Sequence, residues 1–458
     1  MTTSADPLLA PLPDSLPPVE RASRMPAGFA AVGTTAGIKA SGRLDFALVV
    51  ATGGPVPAAA VFTPNRFAAA PVRLSRANLR ATGGTPATCG YASAVIATSG
   101  SANAATGEAG DADQAAIGVA VAAAIGAEPV HVLHLSTGII GTRLPVDKVA
   151  ATIRRVTDEG LEPTDLALGH AAIALRTTDS TAKMASVTAQ VPGASGGSVA
   201  ITVTGIAKGV GMIHPRMATM LSIVLTDATA SPATLRTLLR SAAAVTWDQL
   251  SVDGDTSTND TVFALASGAA GAASADDDAD ARAALGAAIG AVARDLARQQ
   301  ARDGEGATAL ITCQVTGAAD DADARAVARA VISSSLVKAA VHGRDANWGR
   351  IAGAAGNALV AEAAVLEAAG LSPEEAASRA AQPAAVDPAR MRIAIAGHLA
   401  YDGAVGGPVG IDKAGARAAM DAEEVVIRVE LGLGTGTGEA FGCPLTEAYV
   451  KENAEYTT

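Results

Sequence analysis

The chain has 458 residues, 49% of them apolar but only 3% aromatic, with 48 glycines. Lys plus Arg number 34 against 45 Asp plus Glu, a formal net charge of −11. That acidic balance, without a basic block, argues against nucleic acid as a partner. Cys89, Cys313 and Cys443 lie far apart with no CxxC pair, which suits a reduced compartment and speaks against a zinc site. The six histidines show no HExxH or HxxxH spacing, so no metal is expected. The longest Ala/Val/Ile run, Ala115 to Ala127, is too short for a bilayer, and no basic-then-apolar leader opens the chain. The expectation is a cytoplasmic protein with no membrane partner.

Residues 1–24, rich in Pro and Ser, read as a mobile tail. Ala31 to Lys39 reads as a turn; Asp45–Ala51, Ala58–Phe62 and Ala94–Ser99 read as strands. Gly100–Gly107 is a small polar loop, Asp111–Ala127 a helix and Val130–Leu135 a strand. That strand delivers Ser136-Thr-Gly-Ile-Ile-Gly141, read as a second loop of small residues. Helices are expected over 146–158 and 164–175, followed by Thr177-Thr-Asp-Ser-Thr181 and strands over 185–191 and 198–203. Ser231-Pro232 marks a helix start, with a capping hydroxyl and Pro at the first helical position. Farther on, helices are expected over 280–302, 322–333 and most of 357–370, and strands over 310–315, 391–395 and 424–431. Strands and helices alternate without strict βαβ order, which predicts an α/β (mixed α+β) fold of mixed sheets covered by helices.

The stretch from Lys208 to Ala228 combines a glycine-rich loop with the apolar run Ser222–Thr226. Gly209 and Gly211 permit unusual backbone angles, and Pro215 fixes a bend. Thr219 sits where loop gives way to strand. Its hydroxyl is a candidate nucleophile, but a threonine at a strand start equally fits a pleated surface. His214 is near enough in sequence to be its base, or an ordinary loop histidine. Gly432–Gly438 lacks the GxGxxG spacing and reads as a flexible turn. Asp253-Gly-Asp255 lacks the calcium-loop pattern and reads as a hydrogen-bonded loop.

Taken together, the loops resemble the ArgJ family of ornithine acetyltransferases (glutamate N-acetyltransferases). The resemblance runs from Pro26 to Thr458 through Pro26-Ala-Gly-Phe29, Ala59 to Asn65, Ser136 to Gly141, Lys208 to Met212, Met217 to Leu221, Ser251 to Thr261, Asp303 to Thr308, Asn347 to Arg350 and Asn453 to Thr458. It implies an αββα-type layered fold and self-cleavage between Ala218 and Thr219. The products would be an α chain (25–218 after the tail) and a β chain (219–458) forming one composite site in an α2β2 assembly. It implies ping-pong transfer of acetyl from N-acetylornithine to glutamate through acetyl-Thr219. Thr137 and Gly138 would form the oxyanion hole. Thr177 (or its neighbour Thr178), Lys208, Thr219, Glu305, Asn453 and Thr458 would contact substrate. No metal or cofactor is implied; some members of the family also take acetyl from acetyl-CoA as a donor substrate, and others only recycle it.

The chain departs from the family pattern at His214, Arg216, Ala309, Thr98, Ser101 and Ala182, which puts donor and acceptor identity in question. An amide hydrolase, or an acetyltransferase acting on another amine in secondary metabolism, is the alternative on the same fold. A binding protein that no longer cuts itself is a third reading.

Overall fold

The computed structural model describes residues 7–9, 15–84, 86–214 and 220–455. The strand Leu221–Thr226 lies inside a six-stranded sheet, between Thr261–Ala266, to which it runs parallel, and Ser198–Lys208, to which it runs antiparallel. Every one of its residues is buried, as its nearly unbroken apolar sequence requires. Alternation divides its side chains between two cores. Leu221, Ile223 and Leu225 face a second sheet, whereas Val224 faces the helices Pro232–Val245 and Ala279–Arg302.

That second sheet has four strands, in the order Phe29–Thr34, Phe46–Ala51, Ala94–Ser101, Val132–Ile139. Ala47, Val49, Val95, Ala97, Leu133 and Leu135 point into the core between the sheets. Phe46, Leu48, Ile96 and Val132 point outward, onto the helices Gly107–Ile125 and Val146–Glu159. The layers therefore run helix, six-stranded sheet, four-stranded sheet, helix, as the resemblance implies. Small side chains such as Ala58 and Ala60 fill the central layer where aromatic residues are scarce.

The rest of the chain builds a seven-stranded sheet, in which Leu310–Ala318 pairs with both Glu424–Glu430 and Gly436–Gly442. Helix Ala279–Arg302 joins this sheet to the sandwich. Leu285, Ile289, Val292 and Leu296 bury against the six-stranded sheet, each worth about 1.5–3 kcal/mol of transfer free energy. On another face Arg298 pairs with Glu424 at 2.7 Å and Arg294 with Glu439 at 2.9 Å, both on the seven-stranded sheet.

Several expectations change. Part of the presumed tail is tied down: Glu20 exchanges backbone hydrogen bonds with Ser186, and Leu16 and Val19 pack on the core. Such contacts offset the composition bias toward disorder. Residues 31–34 belong to a strand, because Phe29 and Ala31 bury against helix Asp165–Leu175. Ser136 to Ile139 continue a strand, paired in parallel with Ala94–Ser101. Gly436–Gly442 is also a strand, drawn in by pairing with Leu310–Ala318 despite its glycines. Residues 357–362 are not helical; only Ala363–Ala368 is. Helix Ala70–Gly83 had no expectation attached to it.

The helix start at Ser231 is as expected, with the hydroxyl accepting from the Thr234 N–H at 3.2 Å. Asp276 reinforces it, accepting from the Ser231 N–H at 2.7 Å and the Thr234 hydroxyl at 2.6 Å. Burial acts to raise the Asp276 carboxyl, but the Ser231 and Thr234 hydroxyls and the Ser231 N–H outweigh it and bring it to about 2. A depressed carboxyl stabilises the fold above its unfolded value and loses that contribution as pH falls through the folded one. The melting-temperature gap between the unaltered protein and Asp276→Asn should be open at pH ~7, narrow as pH falls below ~4 and close only below pH ~2; a gap constant with pH would refute this.

Candidate active site

At one end of the sandwich a cavity of about 290 Å³ opens between the sheets and the C-terminal helix Glu447–Ala454. Thr137, Gly138, Thr177, Lys208, Glu305 and Asn453 all line it. Six positions singled out in the sequence, from five separate segments, thus meet in space.

Thr137 and Gly138 stand near the end of strand Val132–Ile139, where its pairing register with Ala94–Ser101 slips at Gly100 and Ser101. The Asn259 amide fastens this end to the facing sheet, donating to the Ser136 carbonyl at 2.8 Å and the Ala102 carbonyl at 2.7 Å. Two departures from the family pattern also bond here. Thr98 meets the Ser136 hydroxyl at 2.8 Å, and Ser101 donates to the Thr142 carbonyl at 2.7 Å.

Lys208 ends strand Ser198–Lys208 and is buried. Its carbonyl accepts from Gln300 at 3.0 Å, and Gln300 accepts from the buried Trp247 ring N–H at 3.1 Å. Gly209, at φ +136°, then turns the chain. A side chain at Gly211 would collide with the Glu305 carboxylate. Met212 adopts φ +56°, costly for a non-glycine, and is held by Asp253, which accepts the Met212 N–H at 2.5 Å and the Ile213 N–H at 2.8 Å.

Glu305 faces Lys208 across the cavity wall. Its N–H donates to the Val210 carbonyl at 2.8 Å, and its carboxylate accepts from the Thr178 hydroxyl and the Asn453 amide, each at 2.9 Å. Both Thr177 and Thr178 therefore belong to the site. Burial lowers the Lys208 ammonium, with Asp179, Glu305 and Asp260 opposing that fall and Lys183 adding to it. Asp260 is pushed well above the usual carboxylate range by burial, which outweighs its bond from the Met220 N–H and the nearby Lys208 charge. The arrangement offers one cation and one carboxylate to a small ligand bearing both charges.

Ala218, Thr219 and Thr458, and the divergent Arg216, lie outside the described residues. Met220, next to Thr219 in the chain, is fully buried, and its N–H donates to Asp260 at 3.0 Å. His214, considered as a base, lines a neighbouring groove of about 970 Å³, its Nδ1 lying 3.3 Å from the Ser251 hydroxyl. Asp253 has the hydrogen-bonding role expected of its loop, and Asn347 caps helix Trp348–Gly356. Ser257, Thr258 and Asn259 line the cavity, although no substrate contact was assigned to them. Asp179, Lys183 and Asp260 were missed as well. All three are buried, and burial of an isolated polar residue leaves no periodic signal. Among the described residues no cluster of His, Cys, Asp and Glu could hold a metal ion, and no helix is long and apolar enough to cross a membrane.

A helix-flanked double sheet with convergent polar groups at its strand ends is the architecture of an enzyme acting on a small molecule. The model of the ArgJ family matches residues 30–458, and the chain belongs to that family, as an enzyme of the acyltransferase class. The arginine biosynthesis bifunctional protein ArgJ of Thermosynechococcus vestitus is 43% identical over 438 residues, covering 94% of this chain and 96% of that one. Its counterpart in Thermus thermophilus is 42% identical over 437 residues, covering 95% and 100%. The crystal structure of the Bacillus halodurans protein of the same name is 39% identical, covers 52% of this chain and 99% of that chain, and has a TM-score of 0.44.

Proposed function

We propose that this protein cuts itself between Ala218 and Thr219 and then moves an acetyl group from N-acetylornithine to glutamate. The observation that carries the reading is the convergence of Thr137, Gly138, Thr177, Lys208, Glu305 and Asn453 on one cavity. The relatives' shared name, with its reference to arginine biosynthesis and to two functions, is consistent with it.

In the precursor the Thr219 hydroxyl attacks the Ala218 carbonyl carbon, the Ala218–Thr219 C–N bond breaks, and the resulting ester is hydrolysed. Thr219 is left with a free α-amine, which titrates near pH ~8 and can take the proton from its own hydroxyl. That hydroxyl attacks the acetyl carbonyl of N-acetylornithine. The tetrahedral oxyanion is met by Thr137 and Gly138, and ornithine departs with the proton. Glutamate reverses the sequence and leaves acetylated. Lys208 receives the substrate α-carboxylate, and Glu305, with Thr178 and Asn453, the ammonium. Thr458 completes the substrate contacts. The cycle needs no cofactor, and acetyl-CoA is a second donor to Thr219. The mature enzyme is an α2β2 assembly in the cytoplasm.

The test is acetyl release from N-acetylornithine with and without glutamate. Formation of N-acetylglutamate in step with ornithine is expected. Free acetate released at a rate indifferent to glutamate would replace the transferase by a hydrolase on the same site.

A further inference from the structure

The turn from Thr177 to Lys183 holds a buried charge network beside the cavity. Asp179 is buried, and its carboxylate accepts three hydrogen bonds and faces a second ammonium. Its Oδ1 accepts from the Lys183 ammonium and from the Gly209 N–H, both at 2.8 Å. Its Oδ2 accepts from the Thr177 N–H at 3.1 Å and lies 4.0 Å from the Lys208 ammonium. Lys183, with no exposed side chain, continues to Asp303 at 2.6 Å, and Asp303 also accepts the Ser180 N–H at 3.0 Å. Asp303 is two residues from Glu305, which accepts from Thr178 of the same turn. Both charged ends of the cavity are thus tied to one turn, with Asp179 at its centre.

A buried ammonium with no anion nearby gives up its proton. The anions facing Lys208 are Asp179, Glu305 and Asp260, and the cations are Lys183 and Lys39. Glu305 already shares its oxygens with Thr178 and Asn453, and Asp260 is shifted by burial toward its neutral form. Asp179 differs from both. Burial acts to raise it, but Lys208, Lys183 and the Gly209 N–H together hold it below the ordinary carboxylate range. Its 4.0 Å spacing from Lys208 is also informative. That separation exceeds a hydrogen bond, so the pair maintains the ammonium charge without using one of its proton donors.

We infer that Asp179 is a positioning residue that keeps Lys208 charged and aimed at the substrate carboxylate, and that through Lys183 and Asp303 it fixes the loop carrying Glu305. This rests on the functional reading above, in which Lys208 receives that carboxylate. Asp179 itself touches no substrate. Its effect falls on ground-state recognition, on the KM side more than on kcat.

The experiment is a pH profile of kcat/KM for N-acetylornithine and glutamate with the full-length protein and Asp179→Asn. The amide is nearly isosteric; it removes the charge and turns one of the two accepting oxygens into a donor. Lys208 must be protonated to bind, so losing its counter-ion moves the alkaline limb of the profile down by about 1–2 pH units. KM should rise about tenfold at pH ~8, with kcat changing less. Lys208→Met supplies the second arm: adding Asp179→Asn to it should cost less than about twofold more if Asp179 acts through Lys208. If the single variant does not fold, Asp179→Asn with Lys183→Met removes the buried pair together and carries the same profile. An unmoved alkaline limb, or full additivity with Lys208→Met, overturns the inference while leaving the acyl-transfer reading intact. An unaltered protein that cuts itself but transfers no acyl group overturns both.

Discussion

Thr219→Ala is expected to yield one uncut chain of 45.0 kDa and no acyl transfer. The unaltered protein should separate on denaturing electrophoresis into residues 1–218 and 219–458. Without the hydroxyl there is no intramolecular attack on the Ala218 carbonyl, and an amide left to water is stable on any laboratory timescale. Turnover is lost twice over, because the variant has neither the nucleophile nor the α-amine that serves it. Removing the nucleophile of an acyl-transfer enzyme costs roughly 10⁴- to 10⁶-fold in rate. Thr219→Ser separates the two losses. It retains a hydroxyl, so it should cut itself, more slowly, and keep measurable transfer. The Met220 N–H bond to Asp260 and the buried strand Leu221–Thr226 are made by residues that both variants keep, so neither variant should unfold. An Ala variant that is processed, or that turns over, would move the nucleophile elsewhere in the chain.

The layered core was legible because its signals are local and repetitive. Leu221, Ile223 and Leu225 alternate with residues facing the other core, and Leu285, Ile289 and Val292 recur along one helix face. The cavity was legible only through the ordered set of family motifs. Thr137, Lys208 and Glu305 are far apart in the chain, and nothing in their individual spacing brings them together. The least legible part was the layer behind them. Lys183 opens an apolar strand and would ordinarily point to solvent, yet it is fully buried between Asp179 and Asp303. Its cost is offset by partners 4 and 120 residues away, a balance visible only after folding. The same holds for Gly436–Gly442. Three glycines in seven residues speak for a turn, and tertiary pairing with Leu310–Ala318 overrides them.

Gly138→Ala should be the most damaging single methyl in the site. Gly138 has φ +132°, a region that L side chains rarely adopt. A Cβ there would also stand 2.6 Å from the Gly100 carbonyl oxygen and 2.7 Å from the Ser101 nitrogen. Both atoms are backbone, at the place where the two parallel strands change register, so neither can rotate away. The strand ends must part, and Thr137 moves with them. Backbone strain and overpacking of this kind each cost about 1–3 kcal/mol. If Thr137 and Gly138 supply the oxyanion donors, their displacement should lower kcat by about 10²- to 10³-fold. Gly141→Ala provides the control. It lies three residues on, has φ +88°, and a Cβ there meets no atom within 4 Å. It shares the strain and lacks the collision. The expected order is therefore a modest loss of melting temperature with near-normal kcat for Gly141→Ala, against a large loss of both for Gly138→Ala. Equal effects on kcat would show that loop strain, not placement of the strand end, limits turnover. A Gly138→Ala enzyme with unimpaired kcat would remove this pair from the oxyanion hole.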